Sequence, residues 1–117
     1  MEDNHIILVT GTSSGLGLAT ASSLLSQNFS VIGIDERSTR IQNTAYTHLE
    51  MDLAQFDANL ILNELTDRNW SGFIHCAGIS EGGKLDSLSI EDWNHSIDVN
   101  VTSAMRICQL ADSHMID

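Results

Sequence analysis

The hydrophobic positions of this chain fall into short apolar runs and into longer segments where they recur at helical spacing. A short apolar run fits a strand that is buried on both faces of a sheet. Such runs predict strands at 5–10, 30–35, 46–51 and 72–77. The longer segments predict helices at 15–28, 54–68 and 89–115, the last with a bend near Val99-Asn100. Strands that alternate with helices indicate an α/β fold with a parallel sheet and right-handed crossovers, and we expect one domain with strand order 3-2-1-4.

The turn between the first predicted strand and the first predicted helix contains three glycines, in the segment Thr10-Gly11-Thr12-Ser13-Ser14-Gly15-Leu16-Gly17. A strand, a glycine turn and a helix in this order aim backbone N–H groups and the positive end of the helix dipole at an anion. Gly11 permits the tight turn, Gly15 lets the backbone approach a pyrophosphate, and Gly17 lets the helix pack close to the strand. The segment therefore predicts a site for the phosphates of a dinucleotide.

An acidic residue ends the second predicted strand at the spacing that such sites use. Asp35 lies 18 residues after Gly17, and a dinucleotide site places an acid about 20 residues after its glycines to accept hydrogen bonds from ribose hydroxyls. The alternative is a buried strand followed by a solvated acidic turn. Because strand, spacing and helix agree, we favour dinucleotide binding.

The net charge of the 117-residue chain is −11, which argues against partners that need a basic protein surface. We expect no nucleic acid ligand and no anionic membrane partner, since clusters of Lys and Arg bind such surfaces. No apolar stretch is long enough to span a bilayer, and the acidic N-terminus is unlike a signal peptide. Cys76 and Cys108 are too few for a disulfide framework, so a cytoplasmic location is expected. The histidines lack metal-ligand spacing, and no metal site is predicted.

The segment Thr10–Gly17 fills the pattern Thr-Gly-x-x-x-Gly-x-Gly, whose spacing differs from the ordinary dinucleotide fingerprint. With it the chain resembles the N-terminal half of a short-chain dehydrogenase/reductase of the simple, cofactor-first type, over essentially its whole length. The resemblance implies a Rossmann-like doubly wound parallel sheet and a nicotinamide cofactor. It makes Asp35 the NAD-selecting acid, because a carboxylate accepts from a 2′-hydroxyl and repels a 2′-phosphate. No Lys or Arg stands in the turn, although Arg37 is close by, and NAD is expected in preference to NADP.

Further residues extend the resemblance along the chain. Met51-Asp52-Leu53 resembles the family's acid-containing segment after the third strand, where the acid meets the adenine amino group; Asp52 also fits a helix N-cap, and both roles are compatible. Taken together, the resemblance assigns cofactor contacts to Gly11, Thr12, Ser13, Ser14, Gly15, Leu16, Gly17, Asp35, Asp52, Leu53, Cys76, Ala77 and Gly78.

The segment His75-Cys76-Ala77-Gly78 resembles an Asn-Asn-Ala-Gly segment at the end of the family's fourth strand. Both asparagines are replaced here, so their hydrogen bonds must be made differently, and His75 is able to supply one. The small residues leave room for the cofactor. Asn100 resembles the helix-bending asparagine that supports the family's proton relay, with a solvent-facing side chain as the alternative.

The catalytic Ser and the Tyr-x-x-x-Lys pair of the family have no match in this chain. Its only tyrosine, Tyr46, belongs to the third predicted strand, and Glu50 stands where the lysine would be needed. The strand at 72–77 would be an unpaired apolar edge, and the helices at 89–115 are too apolar to be solvated. We expect a fragment that stops before the catalytic segment, and a homo-oligomer formed through helices 89–115.

The resemblance implies an NAD-dependent oxidoreductase that transfers a hydride between NAD(H) and a secondary alcohol or ketone. This chain would be its cofactor-binding half, inactive alone and weak in NAD binding. The alternative from another functional class is a non-catalytic NAD-binding or oligomerisation module. Use of the same scaffold by an epimerase or dehydratase also stays open, and these residues do not identify the substrate.

Overall fold

A parallel sheet of four strands forms the centre of the chain in the computed structural model, which describes residues 5–65, 68–79 and 84–114. The strands are β1 (Ile6–Thr10), β2 (Ser30–Asp35), β3 (Tyr46–Glu50) and β4 (Gly72–His75). Their order in the sheet is β3-β2-β1-β4, so the predicted strand order and the predicted α/β fold are confirmed. Among the described residues, no strand pairs with the outer edge of β4. The sequence led us to expect this unpaired edge.

Helices cover both faces of this sheet. They are α1 (Gly15–Ser26), α2 (Ala58–Glu64), α3 (Ile90–Ile97) and α4 (Ser103–His114). The side chains of β1 alternate between two hydrophobic clusters: Leu8 packs in the cluster that includes Ile61 and Ile107, and Val9 packs in the cluster that includes Ala21. Both faces of β1 are therefore buried, which explains why this strand reads as a continuous apolar run.

The predicted continuous helix at 54–68 is wrong at its start. Leu53–Gln55 form one 3₁₀ turn, capped by the Asp52 carboxylate, which accepts from the amide of Ala54 at 2.9 Å. The α-helix begins only after Asp57, whose carboxylate accepts from Asn59 N at 3.0 Å. Two capping aspartates in close succession thus start two separate helical segments.

The far part of that prediction also needs correction. The apolar spacing of this segment predicts that Leu60, Ile61 and Leu65 lie in the core, but Leu60 is 39% exposed, whereas Ile61 and Leu65 are buried. The α-helix ends at Glu64, and residues 66 and 67 lie outside the described part of the chain. Ile61 and Leu65 pack in the same hydrophobic cluster as Leu8.

The bend predicted near Val99-Asn100 is confirmed as a π-helical turn, Asp98–Thr102, between α3 and α4. The Asn100 side chain holds it against the chain that leaves β4: its Oδ1 accepts from Ile79 N, and its Nδ2 donates to Ile79 O, both at 2.8 Å. Such π turns arise where an extra residue is inserted into a helix, frequently near functional sites. The last residue of the helix prediction, Met115, lies outside the described residues.

The Thr10 hydroxyl joins the ends of β1 and β4. Its Oγ1 accepts from the amides of Cys76 and Ala77, at 3.0 and 3.1 Å, and lies 2.8 Å from His75 Nδ1. His75 Nε2 lies 3.2 Å from the Asn100 carbonyl oxygen, which can only accept. His75 therefore carries its proton on Nε2, and Thr10 donates to Nδ1. His75 thus makes a hydrogen bond that ties the strand end to the π turn, as the sequence suggested it could.

Tyr46 fills a notch over β2 on the face covered by α1. A Cβ at Gly33 would collide with the Tyr46 hydroxyl, so only glycine leaves room for the phenol there. Burial raises the pKa of Tyr46 above its ordinary value of 10.0; hydrogen bonds with Thr12 and Thr39 oppose this, and the charge of Asp35 adds to it. The folded chain therefore favours the neutral phenol.

Replacing Thr10 by Val should lower the free energy of unfolding by about 1–3 kcal/mol, because two backbone donors lose their acceptor. Chemical denaturation measures this, with Thr47→Val on β3 as the matched control outside these hydrogen bonds. Equal stability of the two variants would contradict the role given to Thr10.

The raised pKa of Tyr46 predicts how stability depends on alkaline pH. Its contribution is fully present below the unfolded pKa of about 10 and is lost as pH rises through the folded pKa. The difference in unfolding free energy between the wild type and Tyr46→Phe should therefore be constant from about pH 7 to 9 and shift against the wild type above about pH 10. Denaturant melts across this range measure it; a shift in favour of the wild type above pH 10 would show that the sign is wrong.

Candidate functional site

An open cleft of about 250 Å³ lies at the carboxyl ends of the strands. The register places Thr10 of β1 beside Ile34 of β2 and beside His75 of β4, so the loops that leave these strands meet at one edge. Chain connections run in opposite directions from β1 at this point, and open α/β sheets bind their ligands in such a crevice. The cleft is lined by Gly11, Ser14, Gly15, Leu16, Gly17, Ile34, Asp35, Glu36, Arg37, Met51, Asp52, Leu53, Cys76, Ala77, Gly78, Ile79, His95 and Val99.

The glycine turn forms one wall, and its three glycines do separate work. Gly11 has a φ of +75°, and a Cβ there would lie 2.8 Å from the amide nitrogen of Ala77. A Cβ at Gly17 would collide with the Gly11 carbonyl, so α1 begins in direct contact with the turn. Gly15 has a φ of +55°, and a Cβ there would meet nothing within 4 Å. Gly11 and Gly17 therefore permit close packing of the backbone, whereas the lack of a side chain at Gly15 leaves open space.

The N-terminus of α1 is free to receive an anion. Its N-cap residue, Ser14, makes no side-chain capping hydrogen bond, and the first turn contains no acidic residue. The first amides of a helix have no partner within the helix, and the dipole of the 12-residue α1 adds partial positive charge at this end. Amides at the start of α1 can donate to phosphate oxygens without displacing a side chain.

The Asp35 carboxylate stands at the end of β2, between the glycine turn and the next loop. Its Oδ2 accepts from Ser13 N at 3.0 Å, and its Oδ1 accepts from Arg37 N at 2.9 Å. Each oxygen has capacity for a further donor, since an ionised carboxylate accepts about four hydrogen bonds. The half-buried carboxylate can therefore accept from a diol and would repel a phosphate at the same place.

The opposite side of the cleft is small and partly apolar. Ala77 and Gly78 line it with little side-chain volume, as the sequence predicted, and Cys76 lies beside them. Asp52 and Leu53 line the end near β3; the Asp52 carboxylate is also the 3₁₀ cap, so its capping role is observed together with its place in the cleft.

Three residues assigned to the site by resemblance lie behind the cleft wall. Thr12 is fully buried, and its hydroxyl lies 2.7 Å from the Tyr46 hydroxyl. Ser13 is buried, and it reaches the site only through the amide that it donates to Asp35. The Asn100 side chain hydrogen-bonds the backbone of Ile79, and the backbone carbonyl of Asn100 accepts from His75. These residues shape the site from outside the cleft.

Several lining residues were not expected from the sequence. His95 of α3 lines the cleft, whereas the sequence indicated only that the histidines lack metal-ligand spacing. Glu36, Arg37 and Ile79 also line it. Glu36, Arg37 and Ile79 directly follow recognised residues and could have been found by extending each motif. His95 gives no such signal, because it lies outside every recognised motif.

Within residues 5–65, 68–79 and 84–114, no group of three or more His, Cys, Asp or Glu side chains is arranged to hold a metal ion. No helix in the described part of the chain has the length and apolar character needed to cross a bilayer. Besides the glycine turn, the cleft lining includes the titratable side chains of Asp35, Glu36, Arg37, Asp52 and His95.

Known proteins are similar to this chain in sequence. A family model described as short chain dehydrogenase matches residues 5–117. A short chain dehydrogenase of Rhodocybe pseudopiperita is 31% identical over 115 residues, covering 90% of this chain and 45% of that protein. The chain spans about half the length of the curated relatives it matches.

Solved structures agree. A short chain dehydrogenase family protein from Francisella tularensis subsp. tularensis SCHU S4 superposes with a TM-score of 0.86 at 27% identity, over 96% of this chain and 47% of that one. A 4-hydroxyisoleucine dehydrogenase complexed with NADH gives a TM-score of 0.81 at 25% identity, over 93% and 48%. Since the family model extends over nearly every residue, the chain belongs to the short-chain dehydrogenase/reductase family.

Proposed function

We propose that this chain is the NAD-binding part of a dehydrogenase that transfers a hydride between NAD(H) and a secondary alcohol or ketone. One observation carries the proposal: the uncapped start of α1 and the Asp35 carboxylate face one cleft, with Ala77 and Gly78 opposite. A helix N-terminus that can bind an anion, next to a carboxylate that can bind a diol, matches the pyrophosphate and the adenosine ribose of NAD.

Each part of the ligand has a chemically suited partner in this chain. Amides of Gly15, Leu16 and Gly17 would hold the pyrophosphate, and the space beside Gly15 gives it access. Asp35 would accept from the ribose hydroxyls. Asp52 would meet the adenine amino group, while Leu53 provides apolar surface beside the ring. The preference for NAD over NADP follows from Asp35, because its charge opposes a 2′-phosphate.

The size of the cleft and a structural relative support this function. A volume of about 250 Å³ is below the roughly 300–1,000 Å³ of pockets that enclose a whole small ligand. The described residues thus suit the adenosine and pyrophosphate portion. The 4-hydroxyisoleucine dehydrogenase that shares this fold was solved with NADH.

Bound NAD would supply the hydride acceptor, but the tyrosine proton donor of the family has no match among the described residues that line the cleft. Tyr46 lies in β3 and hydrogen-bonds Thr12 and His48, away from the cleft lining. We therefore propose that the 117-residue chain binds NAD without turnover. Alcohol and ketone panels with spectrophotometric detection of NADH test this, and clear turnover would refute it.

A non-catalytic module is favoured by one specific observation on α3. Ile90 and Trp93 are 69% and 52% exposed, which is unusual for large apolar side chains in a solvated helix. Sedimentation with and without NAD separates the two functions. One defined oligomer with micromolar NAD affinity would favour the module, whereas aggregation of the isolated chain would favour the cofactor-binding half of an enzyme.

Asp35→Asn should weaken NAD binding by about tenfold to a hundredfold, because a hydrogen bond to a charged group is worth roughly 1.5–3 kcal/mol. Calorimetric titration measures it. Asp112→Asn on the exposed side of α4 removes the same charge far from the cleft and should leave the affinity unchanged. Equal affinities of both variants would contradict the place given to Asp35.

A further inference from the structure

A line of hydrogen bonds runs behind the cleft from the glycine turn to the loop after β2. Thr12 Oγ1 lies 2.7 Å from the Tyr46 hydroxyl, which lies 2.6 Å from His48 Nδ1. His48 Nε2 lies 2.7 Å from the Arg37 carbonyl oxygen. Nothing in the family resemblance assigns a role to Tyr46 or His48, and neither side chain lines the cleft.

The chemistry of the end group gives this line a direction. A carbonyl oxygen only accepts, so His48 Nε2 must donate to Arg37. In the neutral imidazole Nδ1 then accepts, and Tyr46 donates to it. Thr12 in turn donates to the Tyr46 oxygen. Tyr46 also hydrogen-bonds Thr39, while the carbonyl acceptor at Arg37 sets the direction of the line from Thr12 through Tyr46 and His48.

The two ends of the line flank the carboxylate that faces the cleft. Ser13, next to Thr12, donates its amide to Asp35 Oδ2, and Arg37 donates its amide to Asp35 Oδ1. The Ser13 hydroxyl also donates to the Arg37 carbonyl at 3.2 Å. The Asp35 carboxylate is thus held by two amides whose own segments are tied together through Tyr46 and His48.

The position of the phenol makes this tie rigid. Tyr46 occupies the notch above Gly33, where a Cβ on residue 33 would collide with the Tyr46 and Thr12 hydroxyls. It pairs with Val31 in the sheet register, and His48 pairs with Gly33, so both side chains stand on fixed strand positions. A displacement of either one would move the Arg37 carbonyl and with it the amide that orients Asp35.

We propose that Tyr46 and His48 are positioning residues for cofactor selectivity: they hold the Asp35 carboxylate where it accepts an unphosphorylated ribose and opposes a 2′-phosphate. The inference rests on the proposed function of the cleft. The measurement that tests the inference is the ratio of the NADP to the NAD dissociation constant, because a merely structural role would weaken the binding of both ligands equally.

The first test is Tyr46→Phe, measured by calorimetric titration of the full chain with NAD and with NADP. Loss of one ordered hydrogen bond should weaken NAD binding about threefold to tenfold. It should lower the ratio of the NADP to the NAD dissociation constant by a similar factor. Thr47→Val, between the two residues on β3, is the control and should keep the wild-type ratio. An unchanged ratio in Tyr46→Phe, with or without loss of affinity, would overturn the inference.

A pair of His48 variants tests the direction of the line and does not depend on the Tyr46 variant folding. His48→Gln can place its amide near the position of Nε2 and keep the donor to Arg37; His48→Asn can keep only the acceptor for Tyr46. His48→Gln should retain more of the selectivity than His48→Asn. Equal ratios, or the reverse order, would overturn the inference. Absence of NAD binding by the wild type would instead refute the proposed function, and the inference with it.

Discussion

The close contact between the glycine turn and the end of β4 is the constraint on which the rest of this structure depends. Gly11 lies so near the Ala77 backbone that a Cβ would be 2.8 Å from its amide nitrogen, and Gly17 lies directly against the Gly11 carbonyl. The Thr10 hydroxyl joins the same segments, because its oxygen accepts hydrogen bonds from the amides of Cys76 and Ala77, which follow β4. These contacts bring the start of α1 to the sheet edge, where its amides open onto the cleft.

The polar groups of the site are oriented by backbone donors and acceptors more than by ion pairs. Asp35 is fixed by two amides, Asp52 by one, and Asn100 by both polar groups of Ile79. Backbone partners are stiffer than long charged side chains, and they leave carboxylate lone pairs free for a ligand. The start of α1 and the Asp35 carboxylate are therefore oriented by the chain itself for the proposed contacts with an anion and a diol.

Much of this could be predicted from the sequence because it depends on local order along the chain. The strands, the glycine turn, Asp35 and the bend at Asn100 each have a short-range signal. The break between Leu53–Gln55 and α2 was missed because two capping aspartates interrupt a segment whose apolar spacing looks continuous. The Tyr46–His48 line depends on strand register, and His95 lies outside every recognised motif; neither has a signal within a short window.

The most direct measurement is NMR amide shift mapping of the 117-residue chain during titration with NAD. We expect saturable shifts at Gly11, Gly15, Leu16 and Gly17, at Asp35, and at Ala77-Gly78, with the rest of the sheet unchanged. Absence of saturable shifts, or shifts confined to the opposite ends of the strands near Ser30 and Thr44, would contradict a nicotinamide dinucleotide site at this edge.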